Sequence, residues 1–224
     1  MNVPPDEHIN VSHQRLHAFV STAAQTVGMR QERAEMLASL LTTNDLRGIF
    51  SHGTQQIATY AILMRDGKLN KDPQTSLVKE TPVSALVDGD GGLGYFPAYE
   101  GTLMALDKAE KMGIAAMMSR NHGHFGAAGI YARLAVGRGL AAYVTSGHQL
   151  HLEPGDTLNN AAGGSPMAFG VVTKSRRWCS ILVRCTISTT KNCASRWPSR
   201  RRACCCAQSA WARSARLGAG CCRV

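Results

Sequence analysis

Val83-Ser84-Ala85-Leu86-Val87-Asp88-Gly89-Asp90-Gly91-Gly92-Leu93-Gly94 is the stretch on which the fold turns. The apolar run at 83–87 predicts a short strand. The glycines after it satisfy G-x-G-x-x-G, and a helix is predicted over 99–112, ended by Gly113. Strand, glycine turn and helix come in the order of a dinucleotide fingerprint, whose glycines let backbone approach a pyrophosphate at a helix N-terminus. Two features weigh against that assignment. Pro97 predicts a delayed helix start, and the next strand ends at Ser119-Arg120 instead of the acid that would hold a ribose. A glycine-rich turn is the favoured assignment.

Downstream the alternation continues. A buried strand is expected over 114–118, a helix over 127–136 with glycines at 137 and 139, and a strand over 140–145. Strands alternating with helices of this length indicate an α/β layer. Upstream, a polar stretch with Pro73 and Pro82 separates this layer from three helices. The first carries Leu16, Phe19, Val20 and Ala23 at three- and four-residue spacing, with Ser12 as cap and Gly28 as stop. The second runs from about 31 to 44, with Ala34, Leu37, Leu40 and Leu41 on one side. The third fits 55–65, with Ile57, Tyr60, Ala61 and Met64 as its apolar stripe and Gly67 after it.

The net charge of +10 describes two different materials. Residues 1–173 hold 13 of the Lys and Arg and all 15 acids, a net of −2, whereas residues 174–224 hold the other 12 basic residues and no acid. All 8 Cys and all 3 Trp also follow residue 173, and all 8 His precede it. The tail can be read as a phosphate-neutralising arm, as a metal or disulfide module, or as sequence out of frame. The module lacks the paired CxxC ligands that bring two thiolates to one tetrahedral ion. A GC-rich gene in the wrong phase explains Arg, Cys, Trp, Ser and Ala without acids. One permitted codon choice for 173–184, taken from the third base of the first codon, gives E-E-P-P-L-V-L-D-F-G. The frameshift is the favoured expectation. No run of about 18 apolar residues predicts a membrane span, and the N-terminus does not have the pattern of a secretory signal.

Three segments can carry chemistry. Ser51-His52-Gly53 places an imidazole between a hydroxyl and a flexible residue just before a helix. Arg120-Asn121-His122-Gly123-His124-Phe125-Gly126-Ala127-Ala128-Gly129 lies between a strand and a helix, the crevice position of α/β folds. A His there suits general base work, because it titrates near neutral pH. Ser146-Gly147-His148 and His151 follow a strand. With His122 and His124 they suggest a metal cluster, but no acid at ligand spacing and no HExxH accompany them, so no metal is expected. Gly163-Gly164-Ser165-Pro166-Met167-Ala168-Phe169 predicts a turn into a buried strand cut short at the composition break.

Four ordered stretches together, Asp45 to Gly53, Asp88 to Gly94, Asn121 to Tyr131 and Gly163 to Phe169, resemble the malate/L-lactate dehydrogenase family of NAD(P)-dependent oxidoreductases, which is unrelated to the Rossmann-type lactate and malate dehydrogenases. The resemblance covers about residues 10–173. It implies an α/β fold, with an N-terminal helical segment and a mixed-sheet domain that is not Rossmann, incomplete here and followed by an irregular tail. The divisions expected are 1–78, a helical substrate-side segment; 79–173, part of a cofactor-binding domain; and 174–224, the aberrant tail. The family's next motif, an acid-rich turn followed by Pro-x-x-Leu-Asp, is what the shifted frame offers.

Residue by residue, the resemblance implies that His124 is the proton acceptor and that His52 lies beside nicotinamide and substrate. It implies cofactor contacts from Gly126, Ala127, Ala128 and Ser146, and places Ser51 and Tyr60 on the substrate side. Many members have Arg where Gln56 stands, a residue that grips a carboxylate bidentately; its absence here leaves the substrate class open. The implied cofactor is NAD or NADP, and the partner a small 2-hydroxy or 2-keto acid, in the cytoplasm. Full-length members are longer and form homodimers, so this chain is expected to be inactive by itself. The alternatives are a non-catalytic fragment and a nucleic-acid-binding protein acting through its basic tail, the latter not favoured.

Overall fold

The computed structural model describes residues 9–146, 165–172 and 177–184. Three helices come first: α1 (His13–Thr26), α2 (Gln31–Leu46) and α3 (Gln56–Arg65). Ser12 caps α1 as expected, its hydroxyl accepting the Arg15 N–H at 3.4 Å. Val20 and Ala24 on α1 and Ala34, Leu37, Ala38 and Leu41 on α2 are fully buried, which sets the two helices face to face. Phe19 departs from the expected stripe, being 63% exposed. It lies next to Val20 but turns toward α3, in an open apolar groove with Leu16, Ala23 and Ala58.

The polar stretch holds a strand that periodicity does not reveal. β1 (Ser76–Thr81) pairs antiparallel with β2 (Ser84–Asp88) around a Pro82-Val83 turn. Every residue of β1 is exposed, so no alternation marks it. α4 (Tyr95–Met112) then returns the chain to β3 (Ala116–Arg120), which pairs parallel with β2. α4 begins four residues earlier than predicted. Pro97 sits in its first turn, where the N–H it lacks has no intrahelical partner in any case. β3 is not a buried strand: Met118 is 67% and the preceding Ile114 72% exposed. α4 covers one face, with Gly101 against Val87 and Met117, and the opposite face is open.

α5 (Gly129–Gly137) packs on a second sheet of β4 (Ala142–Thr145), β5 (Ser165–Val172) and β6 (Arg177–Arg184), all antiparallel. Gly170 of β5 allows the approach, since a Cβ there would lie 2.7 Å from Val136 and 2.9 Å from the Ala132 carbonyl. β5 buries Ala168 and exposes Phe169, Val171 and Val172, so it too is covered on one face only. β6 lies past the composition break, in the segment expected to be irregular; residues 185–224 lie outside the described residues. One core joins the N-terminal helices to α4, α5 and β5, through Leu37, Leu41, Tyr60, Phe96, Tyr131 and Ala168 among others. Among the described residues no helix is long and apolar enough to cross a membrane.

Candidate active site

The glycines of 89–94 are consumed by packing. Gly91 N–H donates to the Asn121 carbonyl, Gly92 N–H to Gly89 and Gly94 N–H to His124, at 2.9–3.0 Å. A Cβ at Gly89 would lie 2.7 Å from His122 Cβ, one at Gly92 2.5 Å from Pro73 Cβ, and one at Gly94 2.5 Å from the His122 ring. The first residues of α4, Tyr95 to Ala98, are buried. Donors spent inside the fold and a buried helix start cannot cradle a pyrophosphate, so the fingerprint match is coincidental. What these glycines do is press one loop, 89–94, onto a second, 121–126.

The second loop carries His124. Asn121, with φ +51°, turns the chain out of β3. His122 then folds back: its Nδ1–H donates to the Gly123 carbonyl at 2.8 Å and its Nε2 accepts from the Ser119 hydroxyl at 2.8 Å. Both nitrogens are thus occupied locally. His124 is exposed, and its ring centroid lies 5.4 Å from that of His52. Beneath it, Phe125 stacks on Tyr131 at 5.3 Å, and the Tyr131 hydroxyl donates to the Phe125 carbonyl.

His52 is set by the C-terminal end of α2. Asn44, fully buried, donates from Nδ2 to the His52 carbonyl at 2.8 Å and accepts from Arg133 of α5 at 3.4 Å. The Asp45 carboxylate accepts from the Thr54 N–H at 3.0 Å and its hydroxyl at 2.6 Å. These bonds close the loop around the 3₁₀ turn Phe50–His52. Gly53 fits against Asp45 only because it has no Cβ. The Ser51 hydroxyl lies 2.9 Å from His52 Nδ1, and Gln56 donates to the Ser51 carbonyl at 2.7 Å.

Tyr60 of α3 is placed behind the imidazoles, only 2% exposed. Its hydroxyl lies 2.6 Å from His124 Nδ1 and 3.2 Å from the Tyr95 hydroxyl. The other residues singled out on sequence are less exposed than His124. Gly126, Ala127 and Ala128 are buried, so they offer backbone rather than side chain, and Ser146 is half-buried at the end of β4 with its N–H toward the Pro166 carbonyl. Ala128 precedes α5 with no side chain capping the helix. Sequence reasoning gives Asn44, Asp45 and Tyr95 no role, although Asp45 opens one of the four family-like stretches; the polar pair before Leu46-Arg47-Gly48 is the available signal for the first two. His148 and His151 lie outside the described residues. Among the described residues no three His, Cys, Asp or Glu stand together as a metal site.

Burial lowers the pKa of His52 below 6.5. A histidine with a lowered folded pKa binds more protons unfolded, so its contribution to stability is complete above about 6.5 and is lost as pH falls toward the folded value. Melting temperature should therefore drop on acidification from pH 8 to 5, and His52→Asn should flatten that drop. An equally steep drop in the variant would place the effect elsewhere.

The mixed-sheet α/β body thus brings two imidazoles, His52 and His124, together from separate loops. The malate/L-lactate dehydrogenase family profile matches residues 11–192, and the chain belongs to that family. It is 32% identical over 171 residues to malate dehydrogenase of Pyrococcus horikoshii, covering 76% of this chain and 48% of that one. It is 27% identical over 161 residues to ureidoglycolate dehydrogenase (NAD(+)) of Escherichia coli O157:H7, covering 72% and 46%. The solved structure of the Pyrococcus horikoshii OT3 malate dehydrogenase superposes with a TM-score of 0.68 at 30% identity, over 79% of this chain and 51% of that one. The chain thus spans about half the length of the curated relatives it matches.

Proposed function

We propose that this chain carries the proton-exchanging half of an NAD(P)-dependent 2-hydroxyacid dehydrogenase. The observation that carries this is the 5.4 Å approach of His52 and His124, two imidazoles delivered by loops 72 residues apart in sequence. The relatives' names, malate and ureidoglycolate dehydrogenase (NAD(+)), support a hydroxy acid and a nicotinamide cofactor. When bound, that cofactor supplies the hydride exchange; the protein supplies orientation and the proton.

His124 is the group that exchanges a proton with the substrate oxygen, being the exposed member of the pair and held from behind by Tyr60. His52, partly buried and biased toward its neutral form, lies beside it with Ser51 and hydrogen-bonds the ligand without adding charge. The backbone of Gly126, Ala127 and Ala128, with Ser146, borders the cofactor. Gln56 turns its amide to the Ser51 carbonyl, so the substrate's carboxylate finds no guanidinium at that position. The substrate is a small 2-hydroxy acid or its keto or imino counterpart; the working protein is a cytoplasmic homodimer.

The test is a chimera of residues 1–172 followed by the C-terminal half of the Pyrococcus horikoshii malate dehydrogenase. It is assayed with NAD and NADP against malate, lactate and ureidoglycolate. Oxidation of at least one acid is expected. A folded chimera that binds cofactor and oxidises none of them would reject the proposal.

A further inference from the structure

His52 stands between two peptide carbonyls, and a side-chain amide holds each of them. The Ser51 carbonyl, in the peptide before the His52 Cα, accepts from Gln56 Nε2 at 2.7 Å. The His52 carbonyl, in the peptide after it, accepts from Asn44 Nδ2 at 2.8 Å. Peptide units are planar, so a residue turns only about its φ and ψ. Fixing the plane on either side of a Cα fixes both angles, and with them the direction in which the side chain leaves. The two amides come from different helices, Asn44 from the last turn of α2 and Gln56 from the first position of α3. His52 is thereby set against both.

Asn44 also ties that setting to the other imidazole. Its Oδ1 accepts from Arg133 at 3.4 Å, and Arg133 lies on α5, the helix into which the His124 loop runs. One amide thus joins the backbone of His52 to the helix that follows His124. The chemistry of this position is narrow. Asn44 is fully buried and meets an acceptor on one side and a donor on the other. A carboxylate has no hydrogen for the carbonyl and an aliphatic chain has neither function, whereas a carboxamide supplies both without adding charge.

We infer that Asn44 and Gln56 are positioning residues, an amide clamp that holds the His52 imidazole in place against His124. The consequence for turnover rests on the proposed dehydrogenase function. The placement of the rings does not, and it is measurable without turnover.

The experiment uses the full 224-residue chain, deuterated except at histidine, and records the nuclear Overhauser contact between the ring protons of His52 and His124. The cross-peak is assigned by its loss in His52→Asn and in His124→Gln. Gln56→Met and Asn44→Leu keep the side-chain size and remove the donor. Each should weaken the contact severalfold in a chain that is still folded. Gln56 is half-buried, so Gln56→Met is decisive if Asn44→Leu does not fold. Thr54→Val is the structural control. It removes the 2.6 Å bond to Asp45 in the same loop and touches neither amide, so it should lower the melting temperature and leave the contact intact. A full-strength contact in a folded Gln56→Met or Asn44→Leu overturns the clamp. Loss of the contact in Thr54→Val overturns it as well, since any loosening of the loop would then suffice. In the chimera, Gln56→Met should lower kcat by roughly 10- to 100-fold, the scale of a small misplacement, and leave the KM for cofactor within a few-fold. Unchanged kcat in an active chimera rejects the positioning role. If the ring contacts behave as expected but the chimera oxidises no acid, the clamp stands and the dehydrogenase proposal alone fails.

Discussion

Gly126→Ala is expected to lower the melting temperature by roughly 4–20 °C, corresponding to about 2–5 kcal/mol in a chain of this size. Two costs add. Gly126 has φ +80°, where an L side chain is disfavoured by about 1–2 kcal/mol. Its new Cβ would also stand 2.5 Å from Cζ and the oxygen of Tyr95, which is fully buried and cannot swing away. Overpacking of this kind costs about 1–3 kcal/mol. Gly67 isolates the first cost, since it has φ +69° and nothing within 4 Å of where a methyl would stand. Gly67→Ala should therefore lose only the backbone share. Tyr95→Leu combined with Gly126→Ala should lose less than the two singles added, because the smaller side chain vacates the space. Strict additivity would mean that the ring is not what the methyl meets. The same clash would displace the Tyr95 hydroxyl from Tyr60, so the damage reaches His124 as well.

The helices and most strands are legible because their apolar residues recur with the period of the element. α1 and α2 show this at Val20, Ala34, Leu37 and Leu41, all fully buried. β1 is not legible: all six of its residues face water, so the pattern that marks a half-buried strand is missing. The apolar run 114–118 misleads for the opposite reason. Ile114 and Met118 are apolar yet exposed, since only α4 covers that sheet. Apolar composition records what a surface could bury, and not what is there to bury it.

The site is legible in part. His52 and His124 can be chosen from their glycine-flanked loops, but nothing local states that those loops meet. Their meeting depends on Asn44 gripping the His52 carbonyl and on Gly94 bonding the His124 carbonyl, contacts that span 8 and 30 residues. Tyr60 and Tyr95 are harder still. Tyr60 reads as an apolar residue of its own helix, Tyr95 falls before the predicted start of the next, and the pairing of their hydroxyls across 35 residues has no sequence signature. The glycines of 89–94 show why a motif needs its surroundings. A phosphate cradle and a packed loop demand the same residue, and the difference lies in whether the N–H groups are spent. Here they are spent on Asn121 and His124.

His124→Ala in the chimera is expected to reduce kcat about 10²- to 10⁴-fold, the usual share of a general acid–base group, while leaving the KM for cofactor within a few-fold. Loss of cofactor binding would point to a structural role instead, and unchanged turnover would reject His124 as the proton-exchanging group. The alanine variant carries a second injury. The Tyr60 hydroxyl lies 2.6 Å from Nδ1, so removing the ring takes a hydrogen-bond partner from a buried hydroxyl, at a cost of about 1–3 kcal/mol in stability. Activity lost through unfolding must then be separated from activity lost through chemistry. His124→Gln makes that separation. Its amide oxygen can accept from Tyr60, yet an amide exchanges no proton near neutral pH. The glutamine variant should recover most of the melting temperature and none of the turnover. If it recovers both, the imidazole serves the fold and the proton must be taken up by another group, with His52, 5.4 Å away, the first to examine.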